Sequence, residues 1–233
     1  MNSPANHTAI LFFSRSVSEE CHSKSFSKND TTNSKISQRL IEHTRKQIQN
    51  TNLPFFHISS KEQSGNSFGE RFSNALNSVF SEGFDNIIAV GNDCPLLNAK
   101  DIMDTCQFLE EGNNVLGPSK DGGIYLLGIR KAAFDKESFQ NLKWQLSSLF
   151  SDIQQYFENK EGKVNRLVTK QDIDEESDLL SFFRKHRHQE IVSILKDIYY
   201  KITSLPKVNL IEVNSNNIFL QTFGMRGPPP TGR

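Results

Sequence analysis

The stretch NIIAVGNDCP, residues 86–95, decides the fold class of this chain. It begins with a short, almost continuous apolar run, which is the pattern of a strand buried on both faces of a sheet. The run passes directly into a polar turn that contains Asp93 and is stiffened by Pro95. Strands of this kind are typical of parallel sheets covered by helices, and such sheets bind ligands beyond the carboxyl ends of their strands.

Similar patterns extend outward from this strand in both directions. Further strands are predicted at residues 8–13, 53–58, 115–116, 124–129 and 164–168. Amphipathic helices are predicted between them, on the apolar positions Ile36, Leu40, Ile41 and Ile48, then Phe68, Phe72, Leu76, Val79 and Phe80, then Ile102, Cys106 and Leu109. A possible capping box at Ser67 and Glu70 begins the second of these helices, and Gly83 ends it. Because parallel strands need long crossovers, the alternation predicts a three-layer α/β/α sandwich with a mostly parallel sheet.

The remaining segments carry weaker patterns. Residues 14–34 are dominated by Ser, Lys, Asn, Glu and Thr, and we expect a long exposed loop there. Residues 144–157 are predicted to be helical, and one or two helices are predicted over residues 175–201. We interpret residues 1–204 as one α/β domain and residues 205–233 as a C-terminal extension, with a possible edge strand at 209–219 and a mobile Pro/Gly-rich end.

Composition limits the classes of function. The 233 residues contain 27 Lys and Arg against 27 Asp and Glu, so there is no overall field to attract nucleic acid or an anionic membrane. No apolar run approaches the roughly 20 residues of a membrane helix. The three cysteines match no zinc template, and a reducing compartment suits them, so we expect a cytoplasmic protein. The sequence leaves the oligomeric state open.

Asp93 is the first candidate for chemistry. It follows the predicted buried strand by two residues, so its carboxylate could point into the crevice at the sheet edge. A divalent cation and a diphosphate could meet there. The alternative is that Asp93 only caps its own turn, as Asp often does at strand ends.

The second candidate is the turn at residues 117–123. Gly122 and Gly123 allow a close backbone approach to a ligand, and successive N–H groups could cradle an anion or a base. Lys120 would add positive charge, and Asp121 would accept hydrogen bonds. A plain Asp-Gly hairpin turn explains the same residues.

The third candidate is the acidic segment at residues 171–178. Asp174 lies there between a predicted strand and a predicted helix, and a second carboxylate beside Asp93 would complete an oxygen-rich Mg²⁺ or Mn²⁺ site. The alternative is that these carboxylates only complement the helix N-terminus.

Taken together, these segments resemble the DUF2064 family of bacterial proteins, whose arsenosugar-biosynthesis members are assigned as glycosyltransferases. The family shows a Gly-x-Leu-Gly-Glu-Arg stretch, a Gly-x-Asp-x-Pro turn, a Gly-Pro-x-x-Asp-Gly-Gly-Tyr-Tyr-Leu-x-Gly hairpin, a Trp-Ser-Thr motif, of which this chain keeps only the Trp, and an Asp-Val-Asp-Thr-x-x-Asp-Leu segment. The matching positions here, in the same order, are Gly65 with Gly69, Glu70 and Arg71, then residues 91–95, 117–128, Trp144 and 172–179.

The resemblance implies a nucleotide-diphospho-sugar transferase fold of the GT-A type. It implies that Asp93 is the metal-binding aspartate, that Asp174 lies opposite it, and that Asp121, Gly122 and Gly123 lie near the sugar or acceptor. The expected catalytic residues are thus Asp93, Asp121 and Asp174, and the expected metal is Mg or Mn. Binding of the nucleotide donor is expected from Arg15, Arg71, Lys120, Gly122 and Gly123.

The chain departs from the family pattern after its first strand. Members have a short Gly-Arg-Val-Lys-Thr-Arg-Leu loop suited to phosphates, whereas this chain has Ser-Arg-Ser-Val-Ser-Glu-Glu at residues 14–20. Arg15, Lys24 and Lys28 could substitute for the missing basic residues. Glu19 and Glu20 would repel a diphosphate that has no metal ion between it and them.

Two hypotheses follow. The first is a metal-dependent glycosyltransferase or nucleotidyltransferase that uses a nucleotide-sugar or nucleotide donor and a small-molecule acceptor. The alternative is a catalytically degenerate GT-A protein that binds a small ligand or another protein, which the altered first loop favours. The first hypothesis requires that the carboxylate of Asp93 face an open hollow.

Overall fold

The computed structural model describes residues 7–160 and 163–203. The predicted C-terminal extension, including its edge strand, lies outside these residues. None of the helices within them is long and apolar enough to cross a membrane. In chain order the elements are β1 (Thr8–Ser14), α1 (Val17–Ser23), α2 (Asp30–Gln49), β2 (Phe55–Ser59), α3 (Phe68–Ser81), β3 (Asn86–Val90), α4 (Ala99–Glu110), β4 (Asn114–Pro118), β5 (Ile124–Arg130), a 3-10 turn (Lys131–Ala133), α5 (Lys136–Gln140), α6 (Leu149–Glu158), β6 (Val164–Arg166), α7 (Glu176–Lys185) and α8 (Glu190–Thr203).

The strands form one sheet in the order β2-β1-β3-β5-β4-β6. The pairs β1 with β2, β1 with β3, and β4 with β6 are parallel, whereas β5 runs antiparallel to both of its neighbours. Only β5 is therefore reversed among the described strands. The predicted mostly parallel sheet is confirmed.

The sheet is covered on both faces because successive side chains along each strand point to opposite sides of the sheet. In β1, Ala9 and Leu11 point toward the face covered by α3, α5 and α6, while Ile10 and Phe12 point toward the face covered by α2 and α4. A third apolar cluster joins the other end of α2 to α7 and α8. The layers are those of the predicted α/β/α sandwich.

The expected loop at residues 14–34 is wrong. It contains α1 and the start of α2, whose N-caps are Ser16 and Asn29. Glu20, Lys24 and Phe26 are buried in this segment. Hydrophobic periodicity cannot reveal a segment that buries charged groups against each other, and for this reason the polar composition was misleading.

The helix predicted over residues 144–157 begins only at Leu149. Trp144 lies in the preceding turn, where its indole Nε1 donates to the carbonyl of Phe139 at 3.0 Å. The short helix α5, just before this turn, carries Phe139 into the core and was not predicted. The start of α3 also differs from the prediction, since Ser67 caps it but the carboxylate of Glu70 accepts from Asn66 instead of from Ser67.

Gly122 makes a close backbone approach to the segment before α6. Its φ is +92°, and a Cβ placed there would lie 2.0 Å from the carbonyl oxygen of Ser147. Gly83 also has a positive φ, +97°, but a Cβ there would meet nothing within 4 Å. Both glycines have a positive φ, but only Gly122 has a close neighbour. A comparison of the two therefore distinguishes the cost of backbone strain from the cost of a steric clash.

Gly122→Ala is expected to lower the free energy of unfolding more than Gly83→Ala, by about 1–3 kcal/mol, because only Gly122 must also push a backbone aside. Urea unfolding of both variants measures the difference. Equal losses would show that the Gly122–Ser147 approach relaxes at no cost.

Candidate functional site

A cavity of about 770 Å³ opens at the carboxyl ends of β1 and β3 and at the start of the reversed strand β5. It is bordered by Ser14 and Arg15 at the end of β1, by Asn92 and Asp93 after β3, and by Asp172 and Asp174 from the segment before α7. This is the edge at which a parallel α/β sheet places its ligands.

The structure brings most of the predicted site residues to this cavity. Arg15, Arg71, Asp93, Asp121, Gly123 and Asp174 line it. Lys120 is exposed and outside the lining, and Gly122 faces Ser147 instead. The close backbone approach predicted for the Gly-Gly pair is therefore made to the chain itself.

Asp93 lies at the edge of the cavity, after the end of β3. Its backbone carbonyl accepts from the N–H of Ile173 at 3.0 Å, which ties the end of β3 to the acidic segment. Its side chain is 45% exposed and borders the cavity.

A buried ammonium group lies between the two carboxylates that were predicted to bind a metal. The Nζ of Lys24 is 2.9 Å from Asp93 and also contacts Asp174 directly, and it lies 3.8 Å from Glu20. The Lys24 side chain is only 7% exposed. Burial alone would lower the pKa of Lys24, but the charges of Asp93 and Asp174 outweigh it and hold the pKa above its usual range.

Two further carboxyl groups are affected by burial at this edge. Glu20 is 2% exposed and accepts from the Asn92 amide at 3.1 Å, and its pKa rises to about 7 because of burial and the nearby charge of Asp93. Burial, and to a smaller extent the charge of Asp93, also raises the pKa of Asp172 to about 7. Within the described residues, Asp172 Oδ1 has no hydrogen-bond partner.

The cavity is strongly acidic. Its lining includes the carboxyl groups of Glu19, Glu20, Asp93, Asp121, Asp172 and Asp174, but only two basic side chains, those of Arg15 and Arg71. Arg15 is already engaged, since its guanidinium donates to Ser23 Oγ at 3.0 Å and lies 3.7 Å from Glu20. An incoming anion would therefore meet a surplus of negative charge.

An aromatic wall, formed by Phe13, Phe68, Phe72 and Trp144, lines another part of the cavity. Its ring centroids are 5.1–5.9 Å apart in successive contacts. Gly69 packs directly beneath Trp144, where a Cβ would lie 2.7 Å from the ring. The Gly-Glu-Arg and Trp motifs thus meet at this wall, and its rings offer apolar faces to a planar or sugar-like ligand.

The turn that carries Asp121 is a hairpin between β4 and β5. Asp121 Oδ1 accepts from the N–H of Gly123 at 3.0 Å and also from the hydroxyl of Ser119. The plain-turn explanation therefore accounts for part of this motif. Asp121 and Gly123 nevertheless border the cavity.

Three polar residues at this edge were missed or misjudged from the sequence. Lys24, considered as a phosphate ligand, is held by carboxylates instead, and Glu20 was expected to be exposed. Their spacing of four residues is that of a helical ion pair, a signal for α1 that polar composition concealed. Asp172 lies two residues before Asp174 in the same acidic motif. Asp174 is predicted from this motif as a site residue, whereas Asp172 is not.

The model of a family described as "Uncharacterized protein conserved in bacteria (DUF2064)" matches residues 37–146. This region includes Arg71, Asp93, Asp121 and Trp144, whereas Lys24 and Asp174 lie outside it. No protein of curated function matches the sequence.

Solved structures resemble this chain in fold. A candidate nucleotide-diphospho-sugar transferase from Desulfovibrio desulfuricans G20 matches with a TM-score of 0.74 at 18% identity, over 84% of this chain and 97% of that one. The likeness confirms the nucleotide-diphospho-sugar transferase fold.

Weaker matches have TM-scores below 0.5. Rv0371C of Mycobacterium tuberculosis H37Rv, in complex with manganese, gives 0.42 at 9% identity, over 76% of this chain and 98% of that one. A cytidylyltransferase from Leptospira borgpetersenii serovar Hardjo-bovis (strain JB197) gives 0.38 at 14% identity, over 85% and 95%. The fold assignment depends on the first structure and not on these two.

Glu20→Gln is expected to stabilise the protein at pH 8 and to have little effect at about pH 4, below the ordinary pKa of a glutamate. With a pKa raised to about 7, ionised Glu20 opposes folding above pH 7, and this penalty vanishes as the pH falls through its ordinary range. The gain should be about 1–3 kcal/mol, measured by urea unfolding at both pH values. Glu19→Gln, at the exposed neighbouring position, is the control and should change little. A less stable Glu20→Gln at pH 8 would show that the attraction to Lys24 outweighs burial.

Proposed function

We propose that this protein is a transferase that binds a nucleotide-linked sugar, or a nucleotide, in the cavity at the carboxyl ends of β1 and β3 and transfers a group to a small-molecule acceptor. One observation carries the proposal, namely that carboxylates at the ends of strands and an aromatic wall border the same cavity. Its volume, about 770 Å³, lies within the usual range for small-molecule sites. The fold shared with the Desulfovibrio protein supports the assignment of donor class.

The lining suggests how the donor would lie. The base or sugar ring would pack on the aromatic wall, and Arg15 and Arg71 would approach the phosphate groups. Sugar hydroxyls would donate to Asp93 and Asp174, whose side chains are about half exposed. Asp121 would orient the acceptor, because one of its oxygens already fixes the turn that borders the cavity.

The predicted Mg²⁺ or Mn²⁺ does not fit alongside Lys24. Asp93 and Asp174 offer the oxygen atoms that these cations prefer. However, the Lys24 ammonium already contacts both carboxylates at the point where a shared metal would lie. No step of the proposed reaction is therefore assigned to a metal.

Donor binding tests the proposal directly. UDP-, GDP- and CDP-linked sugars, each with and without Mn²⁺, should be screened by thermal shift against the wild type. At a ligand concentration about 100 times Kd, a true donor should stabilise the fold by about 2.7 kcal/mol. Asp93→Asn should weaken the effective donor about tenfold or more through loss of a charged acceptor, measured by calorimetry.

Asp104→Asn is the matched control, because Asp104 lies on the surface of α4 and pairs with Lys100. It should bind the donor as the wild type does. A complete lack of stabilisation by every nucleotide, with or without Mn²⁺, would reject the transferase and favour the alternative of a degenerate binding module.

The aromatic wall makes a second prediction. Phe68→Ala should reduce donor affinity about 5- to 30-fold, because a stacked ring contributes about 1–2 kcal/mol. Phe84→Ala is the control, since Phe84 packs against Phe56 and does not line the cavity. Equal affinities of the two variants, measured by calorimetry, would show that the donor does not contact the wall.

A further inference from the structure

Lys24, Asp93 and Asp174 form an ion trio at the edge of the cavity. The ammonium of Lys24 contacts both carboxylates, and its side chain is almost completely buried while theirs are about half exposed. The trio therefore presents carboxylate oxygens to the cavity and keeps the positive charge behind them. Lys24 itself does not line the cavity.

Backbone hydrogen bonds hold the three members in place. The N–H of Ser25 donates to the carbonyl of Asp174 at 3.0 Å, and the N–H of Ile173 donates to the carbonyl of Asp93 at 3.0 Å. The N–H of Glu176 returns a bond to Ser25 at 2.8 Å. These backbone hydrogen bonds join the three segments that carry Lys24, Asp93 and Asp174. They do not depend on the ion pairs between the side chains.

The neighbouring side chains also anchor Lys24. Phe26, two residues further on, is completely buried in the cluster formed with α2, α7 and α8. Glu20, one helical turn earlier, is buried and bonded to Asn92. Lys24 is therefore fixed from both sides along the chain, and its position is built into the fold.

A divalent cation and this ammonium exclude each other. A magnesium ion requires its oxygen ligands at about 2.0–2.1 Å, so a metal shared by Asp93 and Asp174 would lie beside the Lys24 nitrogen. Two positive charges at such a distance repel strongly in a site that is partly shielded from water. The residues described contain no group of three or more His, Cys, Asp or Glu side chains arranged to hold a metal elsewhere.

We infer that Lys24 replaces the divalent metal of this site, so that the protein binds its donor without Mg²⁺ or Mn²⁺. Lys24 is a positioning residue, because it fixes the oxygens of Asp93 and Asp174 and cancels part of their charge without touching the cavity. The part of this inference that concerns the donor depends on the proposed function, whereas the exclusion of metal does not.

Binding of Mn²⁺ alone tests the exclusion, by electron paramagnetic resonance of free and bound ion. The wild type and Lys24→Arg should leave Mn²⁺ unbound at this site, since both keep the positive charge. Lys24→Met should bind it about tenfold or more tightly than the wild type, because the two carboxylates are released. Adding Asp93→Asn to Lys24→Met should abolish that gain.

Lys28→Met is the matched control, because Lys28 lies four residues after Lys24 and its side chain is exposed. It should behave as the wild type does. Tight Mn²⁺ binding by the wild type that is lost in Asp93→Asn would overturn the inference, even if Lys24→Met were to fail to fold. So would a folded Lys24→Met that gains no affinity for Mn²⁺.

Donor binding in the presence of EDTA separates this inference from the proposed function. The nucleotide-linked sugar that binds best should keep its affinity within about twofold when EDTA is added. A donor that binds only with Mn²⁺ would overturn the role of Lys24 and leave the transferase standing. If no donor binds under any condition, the proposed function fails, and the Mn²⁺ titration still decides whether Lys24 excludes metal.

Discussion

The burial of one ammonium group against carboxylates determines the geometry of the site. A charged lysine is costly to remove from water unless it is paired, and here Asp93 and Asp174 provide the partners. These partners come from the turn after β3 and the segment before α7, which are far apart in sequence. The same interaction thus fixes α1 over the sheet edge and holds two carboxylates at the mouth of the cavity.

The cost of this arrangement is visible in the neighbouring carboxyl groups. Glu20 is buried and Asp172 is partly buried near Asp93, and the pKa of each is raised to about 7. One lysine does not neutralise the negative charge gathered there. The fold tolerates the excess because both groups can take up a proton near neutral pH, and because the apolar clusters on the two faces of the sheet are extensive.

The sheet and the first candidate residue could be predicted because their signals are local. The apolar run at residues 86–90 followed by a polar turn was enough to place Asp93 at the carboxyl end of a central strand, and β1, β3 and the α/β/α layers followed from the same alternation. The reversal of β5 is also local in origin, since the short Asp121 turn can join only antiparallel strands.

The parts that escaped prediction depend on contacts between distant residues. Nothing in the polar run at residues 14–34 shows that Lys24 meets Asp174, 150 positions away, and without that partner the segment looks like a loop. Likewise, Gly122 was read as a ligand contact, although the neighbour that requires a glycine there is Ser147. Ion pairs and backbone contacts between residues far apart in sequence carry no periodicity, so they become visible only when the chain is folded.

The location of Lys24 also gives meaning to the altered first loop. A basic loop after β1 would present positive charge to the cavity, whereas this chain turns its lysine inward and leaves Glu19 and Glu20 on the cavity side. The exposed surface therefore offers hydrogen-bond acceptors more than phosphate ligands. For the proposed nucleotide-linked donor, hydroxyl groups and ring faces would then contribute more to recognition than phosphate charge, and the aromatic wall and the paired carboxylates would act together as one binding surface.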